Sequence, residues 1–547
     1  MKKNIPLHAP LFIAYPILFL YAKNVGEARF SDAAQCFVFL MTLSALLYFP
    51  LRRLLRNGAR AGVLVTYGVM MFFAYGSLFD LASTYSAGGV ELGKNRIVFP
   101  IWTFLVVVGM VGLWKVHWDW RRASGFLTVA GLTLVSVQMI QIGMGCLKLT
   151  HDEGRKWSAV SAAAVDGRFQ WQGNGPKPDI YYIILDSYAR GDALKRYYRY
   201  SDEGFLKHLR QKGFYVATES RANYLQTYPS LACSLNMDYL GVFAKAVGAK
   251  SVNMRLLGRM IKDSKVGRLL KAAGYKYVFF PSGYQATDRN SNADITFSQG
   301  AINLGEFERA LIKVSALRAF DFAAPVHRKR VRYTFDSLER IPDIREPTFT
   351  FAHIVCPHSP YVFDSSGATP DQPFLMRGKA RKNYVRLYVG QLDYISKRTQ
   401  QVIDTILARS DVPPIIIIQA DHGPEFKDDL PAPADIEPPL RQATEVMYKA
   451  DIRTGILNAY YFQGSRPNAL YDSISPVNSF RMLFNERFGM KFERLPDCSY
   501  VTCSTPTEHV YSFTRIFPRH LKGDVRFSPS GASRLSAGTN LPALDEE

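Results

Sequence analysis

Four short motifs in this chain carry groups that could do chemistry together. The run PPIIIIQADHGPEF places Asp421 and His422 directly after the isoleucines Ile415 to Ile418. A carboxylate next to an imidazole, followed by a glycine that admits close approach, is a donor pair for a divalent metal. The run PDIYYIILDSY ends at a second carboxylate, Asp186. In ANYLQTYPSLACSL, Thr227 stands two residues before Pro229, which suits the first turn of a helix. A hydroxyl just before a helix amino terminus sits where a phosphoryl group or oxyanion is best stabilised. The fourth motif, FAHIVCPHSPYVFD, holds His353 inside an apolar run and His358 in the Pro-His-Ser-Pro loop after it.

Each piece also has a plain structural reading. Asp186 could close a turn, Thr227 could cap its helix, and Asp-His-Gly recurs by chance in turns. His353, within a strand pattern, reads as a satisfied core histidine, whereas His358 is free to reach the sheet edge. Ser230 is a second hydroxyl near Thr227 but belongs to the first helical turn. Cys356 has no activating partner in sequence, so a catalytic thiol carries little weight.

The elements that must position these groups are legible in the pattern. The isoleucine run reads as a strand buried on both faces, and ligand groups of an open α/β sheet gather at strand carboxyl ends. Strands are expected in the PDIYYIILDSY run, ending at Asp186, and at 214–217, 275–280 and 348–355, and helices at 202–212, just after Thr227, at 260–273 and at 382–408. Strands alternating with helices predict a mainly parallel sheet covered on both faces. Asp186 and Asp421 then meet at one sheet edge.

The first 147 residues are unlike the rest. Long apolar runs near 7–21, 33–50, 62–81, 98–114 and 125–146 predict a bundle of about five membrane helices, the first of them short for a core of roughly 30 Å. Lys2 and Lys3 precede the first run, Arg52, Arg53, Arg56 and Arg60 follow the second, and Lys115, Arg121 and Arg122 follow the fourth. With five spans, the positive-inside rule leaves the carboxyl-terminal domain outside the cytoplasm; an even count would invert it.

Of the net charge of +20, residues 1–150 hold 14 Lys+Arg against 5 Asp+Glu, and the remainder 53 against 42. A modest basic excess beside a bilayer suits anionic headgroups or phosphate-bearing substrates. No basic helix interleaved with aromatics argues for nucleic acid. Cys36 and Cys146 fall in apolar runs, and Cys498 and Cys503 are spaced to pair in an oxidising compartment.

Taken in order, Asp186, Thr227-x-Pro-Ser, Pro-His358-x-Pro and Asp421-His422-Gly resemble the alkaline phosphatase superfamily. The pattern looks most like its membrane-anchored sulfatase-like branch, which includes lipoteichoic acid synthases and phosphoethanolamine transferases. The resemblance runs from about residue 178 to 488. It implies a metal held by Asp186, Thr227, Asp421 and His422, with Thr227 as nucleophile and His358 on the substrate side. It departs from formylglycine sulfatases, because Thr227 and Leu231 replace the Cys/Ser and Arg that their maturation requires. It departs from phosphoethanolamine transferases at Asn478, where a late histidine ligand is missing, which puts a second metal in doubt.

The expected organisation is a transmembrane bundle over 1–147, a juxtamembrane linker over 148–176, a sulfatase-like catalytic domain over 177–520 and a disordered tail over 521–547. The expected fold is thus a helical membrane bundle followed by an α/β domain with a mainly parallel sheet. The expected activity is transfer of a phosphoglycerol or phosphoethanolamine group from a membrane phospholipid to an envelope glycan or lipid. It would use one divalent ion (manganese, magnesium or zinc) and a phospho-threonine intermediate, in the cytoplasmic membrane with the domain facing outward. A phosphodiesterase or phosphatase of the same fold, and an inactive membrane scaffold, are the rivals.

Overall fold

The computed structural model describes residues 6–87, 90–161, 169–173, 175–248, 251, 253–300, 304–320, 322–370, 381–424, 451–462, 470–502 and 513–516. The apolar runs form α1 (His8–Lys23), α2 (Phe30–Leu55), α3 (Gly58–Ala82), α4 (Asn95–Lys115) and α5 (Trp120–Ser161). Their surfaces carry large apolar side chains turned outward, such as Phe39, Leu46, Phe104, Val129 and Ile140. A helix apolar on its outer face suits lipid rather than water.

Four of these helices, all but α1, are long and apolar enough to cross a membrane, so the expectation of five full spans is corrected to four. The reason is length: at 16 residues, α1 rises only about 24 Å, short of a hydrocarbon core of roughly 30 Å. It is nonetheless packed into the bundle. Ala9, Ile13, Ile17 and Tyr21 form a buried stripe at four-residue spacing, and His8 Nδ1 lies 2.7 Å from Thr66 Oγ1 of α3.

α5 continues as helix to Ser161, into the stretch expected as linker. The tail over 521–547 lies outside the described residues, as does Cys503; Cys498 carries a free thiol.

The second part is built on a sheet of seven strands. In chain order these are β1 (Ile180–Leu185), β2 (Tyr215–Val216), β3 (Lys276–Phe280), β4 (Ile295–Thr296), β5 (Thr348–Ile354), β6 (Ile415–Gln419) and β7 (Asn458–Phe462). The spatial order is β2-β7-β6-β1-β5-β3-β4, with every pairing parallel except those of β7. The mainly parallel α/β sheet expected from sequence is what forms.

Alternation sends side chains to two cores. Ile180, Tyr182 and Ile184 of β1, with Ile415 and Ile417 of β6, meet α7 (Thr227–Asn236), α8 (Met254–Lys262), α9 (Lys265–Ala272) and α13 (Pro476–Phe488). Tyr181, Ile183 and Leu185, with Ile416 and Ile418, meet α6 (Glu203–Gln211), α11 (Ala323–Leu338) and α12 (Arg381–Arg409). The single helix expected over 260–273 is two, α8 and α9. Ser264 breaks it, because its side chain accepts from Gly267 N and starts a new helix. A further helix, α10 (Glu306–Lys313), leaves this domain and lies on the membrane bundle.

Candidate metal and nucleophile site

Three adjacent central strands, β6, β1 and β5, deliver the site. Asp186 follows β1, Asp421 and His422 follow β6, and His353 lies one residue before the end of β5, paired with Ile184. Ligand atoms of Asp186, His353 and Asp421 all lie within 4.8 Å of one another, and all three residues are buried. His422 Nε2 stands 3.3 Å from Asp421 Oδ2, 3.9 Å from Asp186 Oδ1 and 3.1 Å from Thr227 Oγ1. Thr227 is the first residue of α7, so its hydroxyl and the helix's free amide groups share one corner.

The histidines are held by their other nitrogens. His422 Nδ1 is 2.9 Å from the Gly423 carbonyl, which makes it the N–H and leaves Nε2 a lone-pair donor toward the carboxylates. His353 Nδ1 is 2.7 Å from Thr287 Oγ1, and that hydroxyl is 2.7 Å from Ser282 Oγ. His353 Nε2 then points at Asp186 Oδ2, 3.4 Å away. Arg453 donates to the Gly423 carbonyl (2.8 Å) and the Leu225 carbonyl (2.6 Å), tying the loop after β6 to the segment entering α7. Gly423 is required there, since a Cβ would fall 1.9 Å from the Ile452 carbonyl oxygen.

The electrostatics are those of two carboxylates in one dry corner. Burial pushes Asp186 up, but His358, His353 and His422 more than offset it and hold its carboxyl well below the usual range. Asp421 is pushed up to about 7, by burial first and by the Asp186 charge second. Burial, then the Arg453 charge, keeps His422 neutral, the form that can ligate. No Lys or Arg pairs with either carboxylate among the described residues, and two buried atoms, His353 Nε2 and Asp421 Oδ2, have no hydrogen-bond partner. A divalent cation would satisfy both atoms and the excess negative charge, so the donor set fits one. Mixed oxygen and imidazole donors suit manganese, magnesium or zinc.

Asp186, Thr227, Asp421 and His422 gather here. His358 is at the rim, its ring centroid 6.4 Å from that of His422, and its backbone N–H donates to the Asp186 carbonyl. Three assignments are refined by the geometry. His353, expected to be a satisfied core histidine, faces Asp186 with an unpartnered nitrogen. Ser230 donates to the Asp421 carbonyl at 2.6 Å, a supporting contact that removes it as a second nucleophile. Asn478 is turned away, bonded to the Leu495 carbonyl and Asp497.

Sequence reasoning missed Ser187 and Thr287. Ser187, held at φ 66°, places its Oγ 3.1 Å from Asp186 Oδ1 and 3.4 Å from His422 Nδ1, and its N–H 3.3 Å from Asp421 Oδ1. A left-handed non-glycine residue at a strand end marks a functional corner, but the sequence alone does not reveal φ. Cys356 is buried with its thiol pushed up, by burial first and Asp186 second, and takes no part.

No family model matches the sequence, and no curated protein matches it. Among solved structures, the chain is similar to the C-terminal periplasmic domain of EcEptC from Escherichia coli, at 12% identity and a TM-score of 0.43, covering 65% of this chain and 96% of that one. The same domain has been solved in complex with Zn (13% identity, TM-score 0.42, covering 63% and 94%). The chain is also similar to the lipooligosaccharide phosphoethanolamine transferase A from Neisseria meningitidis, at 12% identity and a TM-score of 0.36, covering 83% of this chain and 88% of that one. These likenesses are too distant to assign a reaction, which must be argued from the side chains.

Proposed function

We propose that this chain is a membrane-bound, metal-dependent transferase of the sulfatase-like branch of the alkaline phosphatase superfamily. It moves a phospho-substituent, phosphoglycerol or phosphoethanolamine, from a phospholipid to an envelope glycan or lipid. One observation carries the reading. The Thr227 hydroxyl sits at a helix amino terminus, 3.1 Å from a neutral histidine, beside two buried carboxylates that no Lys or Arg among the described residues pairs with.

Asp186, Asp421 and His422, with Thr227, would hold the ion, and His353 is within reach of the same point. When bound, the ion lowers the pKa of a coordinated hydroxyl and neutralises charge on phosphoryl oxygens. Thr227 Oγ attacks phosphorus, and the amide groups opening α7 receive the oxygens on which charge accumulates. His358 at the rim protonates the departing diacylglycerol oxygen. The acceptor hydroxyl then displaces Thr227 from the phospho-threonine intermediate.

The loops support an outward-facing domain with four spans as with five, because losing α1 as a span moves only the amino terminus and leaves the arginine-rich turns after α2 and α4 on the cytoplasmic side. Residues 24–29, after α1, meet the catalytic domain through Gln285 Nε2 to the Glu27 carbonyl and Arg255 to the Ala28 carbonyl. The end of α3 meets it through Asp80 and Arg318. The arginine-rich turns after α2 and α4 lie at the opposite ends of those helices, and positive charge belongs on the cytoplasmic side.

The test is direct. The purified protein in detergent, supplied with metal, should convert labelled phosphatidylglycerol or phosphatidylethanolamine to diacylglycerol, and mass spectrometry should find the headgroup phosphate on Thr227. Hydrolysis of a soluble phosphodiester with no phospholipid consumed would establish the hydrolase alternative instead.

A further inference from the structure

The catalytic domain does not hang from the bundle by its linker alone. Helix α10 and residues 314–320 leave the α/β domain and lie on the sides of α1, α3 and α4. Phe307 and Leu311 of α10 are buried with Ile13, Ile17 and Tyr21 of α1. Val314 crosses α3 at Gly76, where a Cβ would fall 2.5 Å from the Val314 Cα. Ala316 is buried with Tyr75 and Val98. Arg318 pairs with Asp80 at 2.8 Å and stacks over the Phe79 ring at 3.9 Å, while Asn95 donates to the Arg318 carbonyl. Phe320 meets Phe99 edge-on at 5.5 Å.

These contacts fix a depth. Gly76 lies six residues before the end of α3, and Phe99 four residues after the start of α4. At 1.5 Å per residue the segment therefore rests about 6–9 Å inside the helix ends. An apolar face buried at an interface enters about 5–10 Å, to the boundary of headgroups and acyl chains.

The side chains fit that depth. Val314 (38%), Phe320 (51%) and Phe322 (48%) are exposed, as is Ile101 (52%), six residues into α4. Two cations stand beside them in the chain, Lys313 at the end of α10 and Arg318 within the segment. Aromatic and aliphatic groups below a cationic rim are the arrangement that headgroup boundaries favour.

We infer that residues 314–320 and 322 form a lipid-embedded strap, with Phe320 and Phe322 in the headgroup–acyl boundary of the bilayer that α3 and α4 cross. The occupant is the bilayer because the exposed face is continuous with the lipid-facing sides of those two helices. The strap holds the sheet's catalytic edge at the membrane surface, whatever reaction occurs there.

Spin labels on the full chain in nanodiscs of phosphatidylcholine and phosphatidylglycerol test this. Cysteines are introduced one at a time at Phe320, Phe322 and Asp411 after the native six are replaced by alanine. Asp411 precedes β6 at the far edge of the sheet. Collision with oxygen relative to a water-soluble nickel chelate should be several-fold higher at 320 and 322 than at 411. Equal, chelate-dominated values at all three positions overturn the strap. So does low access to both quenchers with spin–spin broadening, which would place the face against a second copy of the chain. A photoactivatable phospholipid applied to the unsubstituted protein gives an independent reading. Adducts on the peptide holding 314–322 are expected, and labelling of the spans without that peptide overturns the inference.

Discussion

At the scale of single residues, the site separates groups that would touch the ion from groups that orient them. Thr287 is bonded to the far nitrogen of His353, and its hydroxyl, 2.7 Å from Nδ1, holds the ring in place. Removing such an outer partner typically weakens metal affinity about 10–100-fold. Thr287→Val should do so in isothermal titration with zinc or manganese, and Thr287→Ser should restore it. An unchanged affinity in Thr287→Val would return His353 to the role of a core residue. The two hydroxyls of α7 should part company as well. Thr227→Ala should abolish turnover while retaining most of the bound metal. Ser230→Ala, which removes one hydrogen bond to the Asp421 carbonyl, should keep turnover and lose about 1 kcal/mol of stability by denaturant titration. If Thr227→Ala turns over like the parent, Thr227 is only the first residue of a helix.

At the scale of elements, the contact between the α1–α2 turn and the catalytic domain should depend on pH. Burial first, and the nearby carboxylate of Glu306 on α10 second, push Glu27 up to about 7. Tyr228 and Tyr284 face the same two acids, with Arg29 the nearby cation. The docked state therefore holds a proton on Glu27 that the undocked state, near 4.5, gives up. Docking is fully supported below pH 4.5 and weakens as pH rises toward 7. Hydrogen-exchange protection over residues 24–29, relative to the intrinsic rate at each pH, should be greater at pH 5 than at pH 8, and Glu27→Gln should flatten the difference. Protection that grows with rising pH would contradict the assignment. A helix substitution probes the other contact. Gly76→Leu cannot be accommodated against Val314, so it should free the 314–322 segment to proteolysis while leaving α3 inserted.

At the scale of the whole molecule, the donor set and the bundle make separate commitments. A cation binding only the folded domain stabilises it by about 2.7 kcal/mol at a hundred times Kd. Chelation should therefore lower the melting temperature of the parent, and Asp421→Ala should melt at the same temperature with or without metal. Orientation is checked by a reporter active only outside the cytoplasm, fused after residue 170. Activity is expected, and a cytoplasmic signal at that junction would overturn both the topology and the choice of substrate.

Much of this was legible in the chain because it is local. Four β-branched residues in a row read as a strand buried on both faces, and a carboxylate after such a strand reaches the sheet's carboxyl edge. So Asp186, Asp421 and His422 were placed by pattern, as were Thr227 before its helix and the membrane character of the first 147 residues. What the tertiary structure decided depends on distant segments meeting. His353 faces Asp186 because β5 pairs with β1 in the register that sets it opposite Ile184, and strand order is not written in any window of sequence. The left-handed Ser187, the break at Ser264, the short reach of α1 and the crossing of Val314 over Gly76 likewise follow from packing. Apolar periodicity says which face of an element is buried, and only the assembled fold says against what.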